Sequence, residues 1–142
     1  MWFGVILYRQ HFCGLEFCVQ FDKKRNDWEL PKGGAKILSP RKSTECMDSS
    51  PFATARGELF EECGVWISWR KNDAFEWMNT QGVVLHDGPR MNAFLCTMLQ
   101  PDDEVDRQSQ WMTLSEFISK SRRHDHIYLM RRCVERTCHR KF

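Results

Sequence analysis

Three glutamates, Glu58, Glu61 and Glu62, lie within five consecutive positions of the chain. If this segment is helical, residues three and four positions apart share one face, so the three carboxylates should converge. Like charges at this spacing destabilise a helix by about 0.2 to 0.5 kcal/mol per pair, and Gly57 costs roughly 1 kcal/mol relative to alanine. A bound divalent cation would offset both costs, and carboxylate oxygens suit Mg2+ or Mn2+ better than Zn2+. The cluster therefore predicts a metal site, with a solvated acidic helix face as the alternative.

A glycine-containing segment upstream, Trp28–Gly34 with the sequence WELPKGG, has the residue types of a phosphate-binding loop. Glycine lets the main chain approach a phosphate or a metal ion closely, so Gly33 and Gly34 are candidate substrate contacts. Lys32 can pair with a phosphate, and Lys36 in the same loop is a further candidate of this kind. A carboxylate cluster and such a loop together favour chemistry on phosphorylated substrates.

The elements that position these residues can be predicted from hydrophobic periodicity and turn signals. Ser50 and Pro51 mark the start of the acidic helix and Gly64 marks its end. Residues 32 to 50 are predicted to form a long loop, because they hold two glycines, a proline and many small polar residues. Apolar and β-branched runs predict strands, and later periodic segments predict helices: strands Trp2–Arg9, Leu15–Phe21, Trp28–Leu30, Val65–Trp69, Phe75–Trp77, Gly82–His86 and Met91–Leu99, an acidic loop Pro101–Asp106, and helices Thr113–Lys120 and Asp125–Cys138. This order predicts a single α+β domain over residues 1–142, a mixed α/β sandwich.

Taken together, these segments resemble the Nudix hydrolase family. The family's signature is Gly, five residues, Glu, seven residues, then Arg-Glu-U-x-Glu-Glu-x-Gly-U, where U is a bulky aliphatic residue. Residues Glu58–Val65 match its last eight positions, and Gly33 matches its opening glycine. The two opening strands and the closing strand, loop and helix also fit the family's layout, so the resemblance covers nearly the whole chain.

The resemblance implies a mixed sheet packed between helices, and Mg2+- or Mn2+-dependent hydrolysis of a phosphoanhydride in a nucleoside diphosphate linked to another group. Matched position by position, Glu58, Glu61 and Glu62 would bind the metal, and the main-chain carbonyl of Gly33 would complete its coordination. Glu61 and Glu62 would thereby also serve catalysis, since the cation would polarise phosphoryl oxygens and hold the attacking water. Glu104 in the acidic loop is the candidate base for that water, with an ordinary solvated acid as the alternative.

Two departures from the signature bear on activity. Positions 34 to 56 hold 23 residues where the family has 13, so an insertion of about 10 residues lies around 36–48, and the first glutamate of the signature falls on Ser49. The signature arginine falls on Gly57, while Arg56 lies one place earlier. One residue along a helix turns a side chain by about 100°, so Arg56 cannot simply replace an arginine that orients a metal ligand. We expect reduced activity, with complete loss as the alternative.

The sequence is compatible with three functions. The PKGG start resembles family members that cleave dinucleoside polyphosphates or diphosphoinositol polyphosphates, and the basic residues Lys32, Lys36, Arg41 and Lys42 would suit such phosphorylated small molecules. The basic residues between positions 122 and 141 would instead suit an mRNA-decapping enzyme that acts on RNA 5′ ends. Loss of the signature arginine and of its first glutamate would suit a Nudix-like binding module without catalysis.

Four aromatic residues that follow the acidic helix, Trp66, Trp69, Phe75 and Trp77, could stack a nucleobase. Aromatic residues in strands are more often part of the core, where their large apolar area is buried. The sequence therefore leaves open which base the protein would bind, and whether it binds a base at all.

Composition narrows the class of protein. A chain of 142 residues with 42% hydrophobic and 28% charged residues is typical of one globular domain. Its formal net charge of +2 does not require a nucleic acid or membrane partner, and its apolar runs are too short to cross a bilayer. Seven cysteines with no C-x-x-C pair and no signal-peptide pattern predict free thiols and an intracellular, cytoplasmic or nuclear, protein.

Overall fold

The computed structural model describes residues 1–12, 14–34, 50–68 and 76–139 of the chain. Within these ranges the elements are the strands β1 (Trp2–His11), β2 (Gly14–Asp22), β3 (Asp27–Glu29), β4 (Lys32–Gly34), β5 (Val65–Trp66), β6 (Glu76–Asn79), β7 (Ala93–Met98), β8 (Glu104–Val105) and β9 (Gln110–Thr113), and the helices α1 (Pro51–Cys63), α2 (Leu114–Lys120) and α3 (His124–His139).

The main sheet is mixed and is built around β1. In the described part of the chain it has seven strands, with the path β3-β2-β1-β7-β6, while β4 pairs with β1 and β9 pairs with β2. β1 runs parallel to β7 and antiparallel to both β2 and β4. β5 and β8 form a separate antiparallel pair beside the end of α1. Because β4 lies next to β1, the main chain of the glycine segment is held rigidly at the sheet.

Helices cover both faces of this sheet. Side chains alternate between the faces along a strand, so Val5 and Leu7 of β1 pack on the side of α1, while Ile6 packs on the side of α2 and α3. All three side chains are fully buried. The predicted α+β sandwich, a mixed sheet between helices, is confirmed.

α1 begins and ends where its capping residues predict. The Ser50 hydroxyl accepts a hydrogen bond of 3.2 Å from the main-chain N–H of Ala53, and Pro51 is the first helical residue. Gly64 ends the helix at φ +68°, and its N–H donates to the Phe60 carbonyl at 2.9 Å. The face turned to the core carries Ala55, Leu59 and Cys63. The glutamates of α1 therefore lie off the core-facing stripe.

Two predicted elements differ from the structure. The predicted loop 32 to 50 begins with strand β4, because the extended main chain there pairs with β1. The predicted strand Gly82–His86 is a turn with a single isolated bridge. The side chain of Asn79 accepts hydrogen bonds from the main-chain N–H groups of Gln81 and Val83, and Gly82 adopts φ +76°, so the chain folds back after β6.

The strand predicted at Val65–Trp69 ends at Trp66 as β5, and the predicted acidic loop Pro101–Asp106 contains its partner β8. Trp69 and Phe75 lie outside the described residues. Cys18, Cys63, Cys96 and Cys133 are free thiols, as expected. No helix in the described ranges combines the length and apolarity needed to cross a bilayer.

Candidate active site

Glu58 and Glu62, one helical turn apart on α1, lie against the main chain of β4. The carboxyl group of Glu58 fills the space that a Cβ atom at Gly33 would occupy. Oε2 of Glu62 accepts a hydrogen bond of 3.0 Å from the main-chain N–H of Lys32. A side chain at position 33 would displace Glu58, which gives a physical reason for glycine at this point. The structure thus brings four of the predicted site residues together.

The electrostatic environment of Glu62 favours a cation. Burial first, and the negative charge of Glu58 second, together raise the pKa of Glu62 to about 7, against the opposing effect of the hydrogen bond from Lys32. Near neutral pH a proton therefore competes for a carboxylate that faces a second carboxylate. A divalent cation between the two would relieve the same repulsion, and Mg2+ is commonly held by one or two carboxylates with water and substrate phosphate. The pair fits the predicted Mg2+ or Mn2+.

Glu61 is placed differently from the other two glutamates of α1. It is exposed, and together with Glu62 and Glu104 it lines a cavity of about 920 Å3 between α1, β2 and the β8–β9 segment. In residues 1–12, 14–34, 50–68 and 76–139, no three acidic, histidine or cysteine side chains are arranged to hold one ion. Glu61 as a third metal ligand and Glu104 as the base remain predictions, now with both residues at the cavity that Glu62 also lines.

Aromatic side chains form much of the cavity wall. Phe21 and Trp28 are in edge-to-face contact at 5.3 Å between ring centroids, and Phe60 of α1 lines the same cavity. Phe21 and Phe60 are 42% and 51% exposed, so their rings are accessible to a ligand in the cavity. Sequence reasoning missed these three residues, because nothing in the local pattern distinguishes them from core aromatics.

The aromatic residues selected from the sequence have other surroundings. Trp66 is 37% exposed and contacts Phe60 edge to face, with ring centroids 5.6 Å apart. Trp77 packs against Phe3 beside the core on the α1 side of the sheet. Of this group, Trp66 is therefore the one that the described structure brings near the cavity wall.

The position of the signature arginine is open space. A Cβ atom at Gly57 would have no neighbour within 4 Å. The guanidinium of Arg56 lies 4.3 Å from the centroid of the Trp66 ring and 5.3 Å from that of Phe52. This cation–π arrangement directs Arg56 toward aromatic rings.

A polar chain that the sequence did not indicate connects the site to α3. The side chain of Gln20 hydrogen-bonds Glu62 and also donates through Nε2 to Oε1 of Glu29 at 3.0 Å. Oε2 of Glu29 is in turn 2.8 Å from Nη1 of Arg123, in a largely buried ion pair. Glu29 is only 6% exposed, and burial raises its pKa, although Lys32 and Arg123 act to lower it. In the sequence, the signal for this contact is Glu29 itself. An acid between the apolar residues Trp28 and Leu30 of WELPKGG could have suggested a buried charge that needs a basic partner.

The junction between α2 and α3 binds four consecutive residues of the β3–β4 segment. The main-chain N–H of Arg122 donates to Asp27, and the Ser121 hydroxyl donates to the Trp28 carbonyl at 2.7 Å. The Glu29–Arg123 ion pair and a hydrogen bond from the Leu30 N–H to His126 continue the series. These bonds attach the segment that carries Lys32 and Gly33 to the C-terminal helices.

The other candidate residues are distributed as follows. The ammonium group of Lys32 lies 5.3 Å from the Trp2 ring centroid. The contact of Lys32 with Glu62 is made by its main-chain N–H. Gly34 is exposed and pairs with Trp2 at the start of β1. Lys36, like Arg41, Lys42 and Ser49, lies outside the described residues.

Several solved structures share this fold. The chain aligns with Ap4A hydrolase of C. elegans at 20% identity and a TM-score of 0.56, covering 92% of each chain. The chain has the Nudix fold. The NUDIX domain of Shewanella oneidensis NrtR, solved with ADP ribose, aligns at 16% identity and a TM-score of 0.58, over 96% of this chain and 86% of that one. A Listeria monocytogenes structure described as a NUDIX hydrolase aligns at 13% identity and a TM-score of 0.59, over 99% and 95% of the two chains.

No protein-family sequence profile and no curated protein sequence matches the chain. At identities of 20% or less, the structural likeness establishes the Nudix fold alone. What this Nudix-fold protein does must therefore be argued from the residues around Glu58 and Glu62.

Proposed function

We propose that this Nudix-fold protein is a Mg2+- or Mn2+-dependent diphosphohydrolase that cleaves a phosphoanhydride bond. The observation that carries the proposal is the juxtaposition of Glu58 and Glu62 beside Gly33. Two carboxylates brought together next to a main chain without a side chain make a site of hard oxygen ligands, open to a phosphate. The C. elegans neighbour, an Ap4A hydrolase, supports the same reaction class.

In the proposed reaction, Glu58 and Glu62 hold the cation and Glu61 faces the substrate cavity. When bound, the cation supplies positive charge for the phosphoryl oxygens and for the leaving phosphate. Glu104 lines the same cavity and is our candidate to accept the proton of the attacking water. Lys32 fixes Glu62 through its main-chain N–H, so that the carboxylate is oriented before the substrate arrives.

The walls of the cavity favour a nucleotide over a diphosphoinositol polyphosphate. Among its described lining residues, Glu61, Glu62, Glu104 and Asp106 are acidic and Lys23 is the one cation. A substrate with many phosphates would meet an acidic surface there, whereas a nucleobase could stack on the exposed aromatic rings. We therefore place a nucleoside-diphosphate-linked compound or a dinucleoside polyphosphate first among the phosphorylated small molecules.

A binding module without catalysis is the second candidate, and Gly57 is the observation that favours it. Position 57 offers no guanidinium to the acid cluster, and Arg56 is directed at aromatic rings. The RNA-decapping alternative has less support, because Arg123 and Arg136 of the basic C-terminal segment are held in ion pairs with Glu29 and Glu76.

The test is hydrolysis of diadenosine tetraphosphate, ADP-ribose, a capped RNA and a diphosphoinositol polyphosphate, each with Mg2+ or Mn2+. Wild type is compared with Glu61→Gln/Glu62→Gln, which preserves size but removes both charges. We expect one of the nucleotides to be turned over by wild type at least roughly a hundredfold faster than by the variant. If neither protein cleaves any substrate, the protein is not this enzyme and the binding module is the better description.

A further inference from the structure

Glu62 is held by two neighbours from different parts of the fold. One is the main-chain N–H of Lys32, at 3.0 Å from Oε2. The other is the side-chain amide of Gln20 on β2. The arginine next to the acidic cluster on α1, Arg56, lies over the Trp66 ring instead. The orientation of Glu62 therefore depends on how the Gln20 amide is itself oriented.

The Gln20 amide is itself hydrogen-bonded to a second acid, Glu29. Its Nε2 atom has two hydrogens, and one of them is donated to Oε1 of Glu29 at 3.0 Å. An ionised carboxylate accepts only, so it keeps the NH2 end of the amide in place and leaves the second N–H for Glu62. A protonated Glu29 could donate a hydrogen bond instead, and the amide could then turn its carbonyl oxygen toward Glu62.

Lys32 and Arg123 both act to lower the pKa of Glu29, and Arg123 also forms a direct ion pair with it. Glu29 is buried, and an unpaired charge there would be costly. Nη1 of Arg123 lies 2.8 Å from Oε2 of Glu29. The same guanidinium is anchored to the first turn of α3 by Nη2 and Nε bonds to Asp125 at 3.0 and 3.1 Å. The pairing joins positions 94 residues apart, so it depends on the docking of α3 against β3.

We propose that Arg123 is a positioning residue for Glu62. Its guanidinium holds the Glu29 carboxylate, the carboxylate holds the Gln20 amide, and the amide holds the metal-binding oxygen pair of Glu62 in one orientation. This inference rests on the proposed function, because it assigns Glu62 to the cation. It places an orienting cation immediately before the C-terminal helix, far in sequence from the acidic cluster.

The test measures Mn2+ affinity of the metal-free full-length protein by the electron paramagnetic resonance signal of free Mn2+. Arg123→Met removes the cation, and Gln20→Met breaks the chain nearer to Glu62 while leaving the Arg123–Glu29 pair intact. Each should weaken Mn2+ binding roughly tenfold, with Arg123→Lys closer to wild type. Arg132→Met is the matched control, because Arg132 lies on α3, the helix that follows Arg123, in an exposed pair with Glu135 and should leave the affinity unchanged.

A second readout separates positioning from a general loss of structure. Activity that Arg123→Met and Gln20→Met lose at limiting Mn2+ should be largely regained at high Mn2+. If the variants were inactive because they are unfolded, adding Mn2+ would not restore their activity. If Arg123→Met unfolds, Glu29→Gln/Arg123→Met removes both buried charges together and takes its place.

The outcomes distinguish two kinds of failure. If wild type binds Mn2+ and the folded variants bind it within twofold of wild type, Arg123 does not position Glu62 and the proposed function stands. If wild type itself binds no Mn2+ and cleaves no substrate, the proposed function fails and this inference fails with it.

Discussion

The main-chain N–H of Leu30 donates a hydrogen bond of 3.0 Å to Nδ1 of His126, in the buried interface between the β3–β4 segment and α3. Only an unprotonated Nδ1 can accept this bond, so the neutral ring carries its proton on Nε2. Nε2 lies 3.8 Å from Oδ2 of Asp125 and 2.9 Å from Nη2 of Arg123, and the second contact is not a hydrogen bond in this tautomer because a guanidinium has no acceptor. A single histidine thus links the segment that carries Gly33 and Gly34 to the C-terminal helix.

This bond predicts a loss of stability in mild acid. Burial first, and the positive charge of Arg123 second, together lower the pKa of His126 to about 3. The unfolded chain therefore binds more protons than the folded protein between about pH 6.5 and pH 3, so the free energy of unfolding falls as the pH drops through that window. From pH 6.5 to pH 5 the contribution of His126 should fall by about 2 kcal/mol.

Urea unfolding at several pH values checks this, with His126→Asn as the comparison. Asparagine keeps an acceptor for the Leu30 N–H but does not titrate, so the variant should be less stable at pH 7 and lose less stability in acid. Equal pH dependence in the two proteins would rule out His126 as the source.

The titration of Glu62 should make the free energy of unfolding depend on pH in the opposite direction. Its folded-state pKa, raised by burial and by Glu58, exceeds the unfolded value, so the folded protein binds more protons between about pH 4.5 and pH 7. The stability associated with the neutral acid is present below pH 4.5 and is lost as the pH rises through 7. In metal-free buffer at pH 8, Glu62→Gln should raise the free energy of unfolding by on the order of 1 kcal/mol, allowing for solvent screening.

Chemical denaturation with and without Mn2+ measures this effect. Added Mn2+ should stabilise wild type more than Glu62→Gln, because the cation binds the folded carboxylate. The exposed neighbour provides the control: Glu61→Gln should change metal-free stability less. A destabilised Glu62→Gln protein in metal-free buffer would contradict the argument.

Gly33 predicts a steric effect on the site. A Cβ atom at position 33 would overlap the Glu58 carboxyl group, so Gly33→Ala should displace Glu58 and weaken Mn2+ binding roughly tenfold. At Gly34, the next residue of the same strand, the nearest atom to an added Cβ is the Met1 carbonyl oxygen at 3.8 Å. Gly34→Ala is therefore the matched control, and titration with Mn2+ compares the two. Equal affinities would show that Glu58 does not need this space.

We expect either of two substitutions at Gly57 to raise the free energy of unfolding. Because an added Cβ meets no atom within 4 Å, Gly57→Ala should raise the free energy of unfolding by roughly 0.5 to 1 kcal/mol through helix propensity. Gly57→Arg should do the same and also raise kcat/KM, if a guanidinium at this position orients the acid cluster. Thermal unfolding and steady-state kinetics of both variants separate the two effects. The same kcat/KM for the alanine and arginine variants would mean that the missing arginine does not limit activity.

Local chemistry accounts for the predictions that succeeded. The limits of α1 follow from Ser50, Pro51 and Gly64, because capping acts between neighbours in the chain. The predicted strand at Gly82–His86 failed for a related reason. Its apolar residues match a strand pattern, but the side chain of Asn79 bonds two main-chain N–H groups of the turn, and such a bond competes with strand pairing.

The acidic helix, the glycine segment and the preference of such ligands for a hard cation can all be inferred from the amino-acid sequence, because each depends on residue type and short spacing. That Glu58 and Glu62 meet beside Gly33, while Glu61 faces the cavity, becomes visible only in the folded structure. The same holds for the contact between Arg123 and Glu29, 94 positions apart. The physical reason is that these contacts join a helix to strands in a register set by packing of the whole core, and no local pattern encodes that register.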